Sequence, residues 1–309
     1  MSASERKLAY IAWITICVVW GTTYLAIHVA LESLPVALLA GMRWTAAGLV
    51  LMLLLPVFGE QIPPRRLWRS IAIVGFLMNV LGNGLLVWSQ QYVASGLAAV
   101  VVAMVPFWSV IVEALSARGE RLTRYTLAGV AAGFTGILVL VWPALTFGGP
   151  DGRMFVAGIL AMQVGAIAWA IGTSYTKRHS LGATPLASSA LQMVFSGTIL
   201  MLIGTVLGEW GQVAFTARTL TAMIYLTLAG SVVGYTAYVY ALKYLPVSTV
   251  SLYAYVNPII AVVLGTLVLS EPFSARILIA AALVFGGIAI VQMAPKTAPV
   301  TPLARKAVA

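Results

Sequence analysis

The chain alternates long apolar segments with short polar ones from its start to about position 293. An apolar helix of about 20 residues is long enough to cross about 30 Å of hydrocarbon. The apolar segments reach this length without the strict apolar-polar alternation that a transmembrane β-barrel requires. The pattern therefore predicts ten transmembrane helices, over residues 8–30, 36–58, 68–90, 95–115, 124–142, 155–176, 185–207, 218–241, 247–269 and 274–293.

Composition points to the same class of protein. The 309 residues are 61% hydrophobic and 8% charged, whereas soluble domains average about 45–50% and about 25%. No water-soluble fold of this size could bury so much apolar surface, since much of any protein surface is exposed to solvent. We therefore predict an all-α polytopic membrane protein, whose first partner is the lipid bilayer.

The basic residues are distributed unevenly between the predicted loops. With the N-terminus in the cytoplasm, fourteen Lys and Arg residues fall on the cytoplasmic side, three fall in external loops, and Arg43 falls inside a helix. Cytoplasmic loops of membrane proteins carry such an excess. We therefore predict that both termini are cytoplasmic, and we attribute the net charge of +10 to membrane topology rather than to nucleic-acid binding.

Landmarks of the first half of the chain recur in the second half. Pro106 and Pro258 are 152 residues apart, and Glu120 and Glu271 are 151 apart. Ten helices divided at the midpoint give five in each half, and an odd number makes the second half cross the membrane in the opposite sense. Such inverted repeats are typical of secondary transporters, which bind substrate near the membrane midplane between the halves.

The predicted architecture is thus two inverted five-helix repeats followed by a tail. The first repeat covers residues 1–146 and the second covers 147–294. Residues 295–309 are polar, basic and contain proline, which predicts a disordered cytoplasmic tail. The loop at the junction of the repeats, around 148–151, is expected to be the longest in the chain.

Polar side chains inside the predicted helices are candidate functional residues, because their burial in the membrane costs free energy unless they face protein or water. Arg43 lies about two turns into the second helix. Its guanidinium either binds a substrate carboxylate or serves as an interhelix strut that backbone carbonyls satisfy. Asn79 and Asn83 share one helix face and either line a cavity or bond a neighbouring helix. We favour the cavity for this pair.

Aromatic residues at similar depth form a second set of candidates. Trp20 and Tyr24 lie one turn apart in the first helix, and Trp169 lies at the matching depth in the sixth. Any one of these rings is more often a packing residue, but together they offer stacking faces for an aromatic or amphipathic substrate. Further side chains with polar ends lie at similar depth in the second half, namely Gln163, Gln192, Tyr235, Tyr238, Tyr253, Tyr255 and Asn257. Tyr253 and Tyr255 cannot share a helix face, so at most one of them faces the cavity unless the helix is distorted.

Two prolines interrupt apolar segments near their middle. Pro106 and Pro258 each remove one backbone hydrogen bond and crowd the carbonyl four residues earlier, at Val102 and Ala254, which predicts a kink. The kinks are either a pair of hinges for alternating access or static bends that shape the cavity.

Acidic residues lie near helix ends rather than in the middle of the membrane. Glu113 is close to the cytoplasmic end of the fourth helix, where a structural role is favoured over a proton site. Glu120 and Glu271 lead the helices that follow them, where a carboxylate is stabilised by the helix dipole. The sequence has no paired-carboxylate site, His/Cys cluster, phosphate-binding loop or serine nucleophile elbow. It therefore predicts neither an enzyme nor a metal or cofactor site.

The order and spacing of several short motifs resemble the drug/metabolite transporter superfamily, in its ten-helix EamA-type branch. These motifs are Trp20-Gly21-Thr22-Thr23-Tyr24, Arg43, Ser95-Gly96-Leu97-Ala98-Ala99 before Pro106, Gly119-Glu120-Arg121-Leu122, Tyr255-Val256-Asn257-Pro258 and Glu271-Pro272. Within that branch the chain most resembles the YddG- and YedA-like bacterial exporters, of which the YddG type exports aromatic amino acids. The resemblance implies a location in the bacterial inner membrane, efflux of small metabolites, and a central cavity lined by both halves.

The combined interpretation is a secondary transporter that exports small metabolites, above all aromatic or other hydrophobic amino acids, by alternating access. The expected substrate-binding residues are Trp20, Tyr24, Arg43, Asn79, Asn83, Gln163, Trp169, Tyr235 and Tyr255. Broad efflux of drugs or other metabolites is the alternative, although cationic drugs would require an acid in the cavity and Glu113 lies too near the cytoplasm. A receptor or scaffold would require larger loops than this chain has.

Overall fold

The computed structural model of the chain describes residues 3–116, 123–179, 183–245, 247–250 and 252–293. Within these ranges the chain forms ten long helical elements and no β-strand. Apolar segments become helices because, without water, their backbone N–H and C=O groups must bond within the segment. The elements are α1 (Ala3–Ala30), α2 (Val36–Leu54, continued by the 3₁₀ turn Leu55–Phe58), α3 (Arg65–Gly75, Phe76–Asn83 and Gly84–Ser89), α4 (Ser95–Val102 and Val105–Leu115), α5 (Arg124–Phe147), α6 (Gly149–Arg178), α7 (Pro185–Val206), α8 (Ala217–Tyr225, Leu226–Val233 and Gly234–Tyr244), α9 (Val247–Val250 and Tyr253–Leu269) and α10 (Ala275–Gln292).

Nine of these described elements are at least 18 residues long and apolar enough to cross a membrane. The other one, α9, has a 17-residue apolar main segment, Tyr253–Leu269, with a short helical turn before it. The prediction of an all-α membrane protein built from ten crossing helices is therefore confirmed. The predicted tail, 295–309, lies outside the described residues.

The junction between the two halves differs from the prediction. α5 runs to Phe147 and α6 starts at Gly149, so the expected longest loop is reduced to the single residue Gly148. Gly149 adopts a φ of 54°, a left-handed value that glycine tolerates without a steric cost. Pro150 follows at the first turn of α6, where its missing N–H leaves no helical bond unmade. The helix can therefore begin earlier than the apolar segment does.

Equivalent helices of the two halves pack against each other. α2 runs along α7, and α5 runs along α10. α1 of the first half packs against α9 of the second, just as α6 of the second packs against α4 of the first. This exchange of partners is what a pseudo-two-fold relation between the halves requires.

The contact between α2 and α7 brings the two backbones close together. A Cβ atom on Gly48 would lie 2.7 Å from the amide nitrogen of Val194, and one on Gly197 would overlap Thr45. Small residues permit such close approach of membrane helices, where dispersion contacts replace the hydrophobic effect as the attraction. The two halves therefore meet backbone to backbone at Gly48 and Gly197.

The third helix of each half contains a widened, π-helical segment at the same position. α3 contains a π-helical segment over Phe76–Asn83, and α8 contains one over Leu226–Val233, 150 residues later. π-helical turns are rare and occur frequently at functional sites. The apolar pattern predicted ordinary helix here, because an extra residue in a turn leaves no mark in a continuously apolar segment.

The helix around Pro106 is interrupted as predicted. The first part of α4 ends at Val102, the residue whose carbonyl Pro106 would crowd, and the second part starts at Val105. Pro258 lies inside the continuous segment Tyr253–Leu269. Pro106 is the second residue of its segment and Pro258 the sixth of its own, so the two prolines hold different places relative to the helix starts.

Candidate functional site

Arg43 is a buried cation with incomplete hydrogen bonding. Its side chain in α2 is 5% exposed, and its Nε donates a 3.1 Å hydrogen bond to the Ser231 hydroxyl. The guanidinium carbon lies 4.5 Å from the centre of the Trp44 ring. Its Nη1 is buried without a hydrogen-bond partner among the described residues. The Nε bond joins two helices, as the strut interpretation expects. The unbonded Nη1 is what the ligand-binding interpretation expects.

Ser231 reaches Arg43 because it lies in the π-helical segment of α8. Its hydroxyl donates a 3.0 Å bond to the carbonyl of Leu226, five residues earlier. That donation leaves the oxygen lone pairs free to accept the Arg43 N–H. The widened turn therefore orients the hydroxyl that holds the guanidinium.

Five aromatic residues form a cluster beside this cation, and Trp20 lies at its centre. The Trp20 ring centre is 5.7 Å from Tyr235, 5.3 Å from Tyr238 and 5.1 Å from Tyr253. Trp44 meets Tyr235 edge to face at 6.1 Å. Ring pairs at such distances stabilise each other through their quadrupoles. We call Trp20, Trp44, Tyr235, Tyr238 and Tyr253 the aromatic cluster.

The matching helices of the other half carry a different polar contact. Asn79, in the π-helical segment of α3, is fully buried, and its Nδ2 donates a 3.0 Å bond to the Ser196 hydroxyl of α7. Its Oδ1 is buried without a partner among the described residues. Gln192 is the repeat counterpart of Arg43, since each lies five residues before a glycine of the α2–α7 contact, Gly48 or Gly197. Its amide points at the Met78 sulfur, 4.0 Å away. The charge is therefore present on one side of the pseudo-two-fold axis and absent at its counterpart.

Asn83 and Trp169 lie near each other where α3 meets α6. A Cβ on Gly82 would come within 3.2 Å of the Trp169 ring, so the absence of a side chain at Gly82 makes room for the indole. Asn83 is partly buried, and its Oδ1 is shielded without a hydrogen-bond partner in the described ranges. This amide oxygen is thus available to a donor on a ligand.

Three other predicted contacts lie outside the aromatic cluster. Gln163 accepts a 2.8 Å bond from the Trp108 indole. Tyr24 is buried in the apolar core that α1 shares with α4 and α10. Tyr255 lies against Phe285 of α10 at 6.0 Å. Tyr253, two residues earlier, therefore occupies the place beside Trp20.

Of the nine predicted contacts, the structure brings Trp20, Arg43 and Tyr235 together at one site. Trp44 and Ser231 belong to the same site and were not predicted. Trp44 follows Arg43 directly in the sequence, and that adjacency was the available signal. Ser231 had no signal, because a serine in an apolar helix usually bonds its own backbone.

Two cavities of the described residues lie away from this site. One of about 350 Å³ is lined by residues of the α5–α6 junction, including Thr146, Pro150 and Arg153. The other, of about 300 Å³, is lined by apolar residues of α7 between Ile199 and Leu207. Neither includes a residue of the aromatic cluster, whose rings pack against one another.

Comparison with known proteins gives a consistent picture. A model of the EamA-like transporter family matches the chain twice, over residues 7–142 and 156–293, one match in each half. The chain is 34% identical over 250 residues to the uncharacterized inner membrane transporter YedA of Escherichia coli K12, covering 81% of this chain and 79% of YedA. It is 28% identical over 293 residues to the protein PecM of Dickeya dadantii, covering 93% and 92% of the two chains.

A more distant relative and a solved structure extend the comparison. The uncharacterized transporter YvbV of Bacillus subtilis is 25% identical over 280 residues, or 90% of each chain. A protein crystal structure that is 22% identical superposes with a TM-score of 0.63, over 97% of this chain and 99% of that one. At this identity the superposition concerns the fold alone.

Proposed function

Since the chain belongs to the EamA-like transporter family, we propose that it exports aromatic and other hydrophobic amino acids by alternating access. Membership of the family and the similarity to an inner membrane transporter make it a multi-pass transporter of the bacterial inner membrane and not an enzyme. Its substrate is a small molecule. The chemical class of that substrate is the part that we propose.

The incompletely bonded guanidinium of Arg43 is the observation that carries the proposal. A charge inside a membrane-spanning helix is costly unless it is paired, and Arg43 forms no ion pair with a carboxylate of the described residues. Its Nε is held by Ser231 while Nη1 lacks a partner. A substrate carboxylate would complete this bonding, because a guanidinium and a carboxylate match in geometry.

The aromatic cluster supports a substrate with an apolar or aromatic side chain. The guanidinium stacks on Trp44, Trp44 meets Tyr235, and Tyr235 meets Trp20. A continuous series of rings thus leads away from the cation. An amino acid carries its carboxylate and its side chain on one carbon atom, so one molecule could bind both features. The other predicted contacts remain proposals as surrounding wall, namely Tyr24, Asn79, Asn83, Gln163, Trp169 and Tyr255.

Efflux of cationic drugs is the second candidate, and the charge of the site disfavours it. Such a substrate would require a carboxylate near the aromatic cluster. Glu113 instead forms a 3.0 Å ion pair with Arg178, where both side chains are partly exposed at helix ends. Glu32 pairs with Arg218 in the same way. A carboxylate-bearing substrate therefore fits the described site better than a cation does.

Alternating access is supported by the packing of the site. Because Arg43 is only 5% exposed and its Nη1 is buried, a substrate can reach the guanidinium only after the surrounding helices move. The interruption of α4 before Pro106 and the π-helical segments of α3 and α8 lie in the helices that would have to bend. We propose Pro106 and Pro258 as hinges of this motion.

Uptake of labelled tryptophan, threonine and a cationic dye into proteoliposomes tests the proposal. We expect tryptophan flux well above that of empty liposomes and above that of the dye. The Arg43→Gln variant is the matched control, because it keeps hydrogen-bonding capacity and removes the charge. Amino-acid flux no higher than in empty liposomes would contradict the proposal, and flux that follows an imposed pH gradient would identify proton coupling.

A further inference from the structure

Four helices of the chain are followed by a small residue, glycine or serine, and then by a glutamate. The pairs are Gly59-Glu60 after α2, Gly119-Glu120 after α4, Gly208-Glu209 after α7 and Ser270-Glu271 after α9. In the described residues the first member of each pair is left-handed, with φ of 69° at Gly59, 71° at Gly208 and 54° at Ser270. A left-handed residue ends a helix and reverses the chain. Residues 119 and 120 lie outside the described ranges.

Glu209 caps a helix of the other half. Its carboxylate oxygens accept hydrogen bonds from the backbone amides of Leu38, at 2.9 Å, and Ala37, at 3.3 Å. These amides belong to the first turn of α2, where the first N–H groups of a helix have no partner within it. Pro35, the N-cap residue, provides no side-chain bond. The second half therefore supplies the cap that the first half lacks.

Glu271 does the same for α4. Its two oxygens accept bonds from the amides of Ser95, at 2.6 Å, and Gly96, at 3.0 Å. The N-cap residue of α4, Ala94, makes no side-chain bond. The sequence-based expectation that Glu271 stabilises its own helix is wrong in this respect, because the left-handed turn at Ser270 directs the carboxylate across to the other half.

Both carboxylates lie in space that a glycine leaves open. A Cβ on Gly204 would come within 2.9 Å of a Glu209 oxygen, and one on Gly265 would overlap a Glu271 oxygen. Gly204 and Gly265 are in the last turns of α7 and α9. The same arrangement of glycine, left-handed residue and capping glutamate thus occurs twice on the face predicted to be periplasmic.

The opposite face carries a weaker version of this contact. Glu60 is the repeat counterpart of Glu209, 149 residues earlier. It accepts a hydrogen bond from the hydroxyl of Thr184, the residue that caps α7. One hydroxyl thus replaces the two backbone amides that Glu209 binds. In this conformation Glu209 therefore accepts two hydrogen bonds from backbone amides, whereas its counterpart Glu60 accepts one from a side chain.

We propose that Glu209 and Glu271 are gating residues of the transport cycle, which hold the predicted periplasmic face closed by capping α2 and α4 across the two halves. Opening toward that face would break all four carboxylate-to-amide bonds. The repeat relation assigns the corresponding role on the cytoplasmic face to Glu60 in the alternate state. Charge-assisted bonds to a helix N-terminus are strong enough to bias such an equilibrium. The proposal does not depend on which substrate is carried.

Distance measurements between spin labels test the gate. Cys17 is the one cysteine of the chain, so Cys17→Ala provides a background for labels at Gln91 and Phe273, both exposed on the loops beside the Glu271 cap. We expect Glu271→Gln to raise the population of the longer distance between the labels, which belongs to the open face, about tenfold. The carboxylate accepts through both of its oxygens, whereas the amide replaces one of them by an NH₂ group that cannot accept. Glu209→Gln should raise it as well, since the face opens as a unit.

Glu60→Gln is the matched control, because it alters the repeat counterpart on the opposite face. It should lower the population of the longer distance or leave it unchanged. A purely structural cap would give a different result, namely a lower melting temperature with an unchanged distance distribution. That result in both folded variants, or equal lengthening by Glu60→Gln, would overturn the proposal.

Hydrogen exchange of the unaltered protein provides a test that needs no variant to fold. A gate that opens as a unit predicts that the capped amides of Leu38 and Gly96 have the same free energy of opening, after correction for their intrinsic exchange rates, and respond together to temperature. Independent exchange of these two amides would overturn the proposal.

Discussion

The indole N–H of Trp20 donates a 3.0 Å hydrogen bond to the carbonyl oxygen of Gly230. Gly230 lies in the π-helical segment of α8, so the bond joins the first helix to a widened turn of the eighth. A Cβ on Gly234, one turn later, would overlap the same indole nitrogen. The backbone of α8 therefore determines where the central ring of the aromatic cluster lies.

Gly234→Ala should displace Trp20 and lower tryptophan export about tenfold, because overpacking of a filled site costs about 1–3 kcal/mol. Gly84→Ala is the control, at the counterpart position 150 residues earlier. A Cβ there would make an ordinary 3.5 Å contact with Leu200. Flux per folded molecule in proteoliposomes measures the difference. Equal losses in the two variants would show that Trp20 does not depend on Gly234.

Arg43→Met should abolish amino-acid export without a loss of thermal stability. The substitution keeps an unbranched side chain and removes a buried charge that has no carboxylate partner in the described residues, and such removal is often neutral or stabilising. Arg43→Lys should also reduce export about tenfold, because an ammonium cannot form the planar pair of bonds with a carboxylate. The measurements are melting temperature and flux. A lower melting temperature with normal flux per folded molecule would establish Arg43 as a strut alone.

Asn79→Ala should destabilise the protein by about 1–3 kcal/mol, because the substitution removes a fully buried hydrogen bond to Ser196. Asn83→Ala should cost less, since its Oδ1 has no partner among the described residues. Thermal unfolding in detergent compares the two. We expect flux per folded molecule to fall for both variants, since both amides are proposed as wall of the binding site, and to fall further for Asn83→Ala. Unchanged flux in either variant would remove that residue from the binding site.

Ser270→Gly should stabilise the protein by about 0.5–1 kcal/mol. Ser270 is the one non-glycine residue of the described ranges with a positive φ, 54°, and a side chain there carries a steric cost that glycine avoids. Gly208→Ala makes the opposite change at the corresponding turn and should destabilise by a similar amount. Melting temperatures of the two variants measure this. Shifts in the same direction would contradict the common role of the two turns.

Glu113→Gln should leave transport intact and change stability by less than about 1 kcal/mol. The ion pair of Glu113 with Arg178 has both side chains partly exposed, and such pairs contribute little. Arg178→Gln should behave in the same way. Flux with and without a pH gradient is the measurement. A flux of Glu113→Gln that no longer responds to the gradient would make Glu113 a proton site after all.

The fold was predictable because burial in the membrane requires a simple sequence pattern. Each crossing helix requires a continuous apolar segment, and the helix limits follow from its length. The segments that differ from the prediction are those whose conformation depends on the backbone rather than on hydropathy. The π-helical segments Phe76–Asn83 and Leu226–Val233 add a residue to a turn without changing hydropathy, and the junction at Gly148 depends on the permitted φ of Gly149.

The candidate site was predictable in part, for a related reason. Arg43 and Trp20 are conspicuous because a charge or a large polar ring is unusual inside a crossing helix. Which tyrosine of α9 faces Trp20 depends on the rotation of that helix. From the sequence, one of the two is expected to face the cavity and Tyr255 is the one predicted, whereas Tyr253 is the one beside Trp20. The cap between Glu271 and Ser95 joins residues 176 positions apart. Their pairing follows from how the halves pack, and periodicity carries no information about it.

The paired π-helical segments also bear on how the two halves of the chain originated. An inserted residue of this kind is uncommon, and here the two segments have the same length, lie in the same helix of each half and are 150 residues apart. Independent insertion at both places would require the same rare event twice. A single event in an ancestral five-helix protein, before its gene was duplicated and fused, accounts for both. That ancestor would have worked as a dimer of two oppositely inserted copies, and the charge at Arg43, whose counterpart in the second half is the neutral Gln192, would have arisen once the halves could diverge.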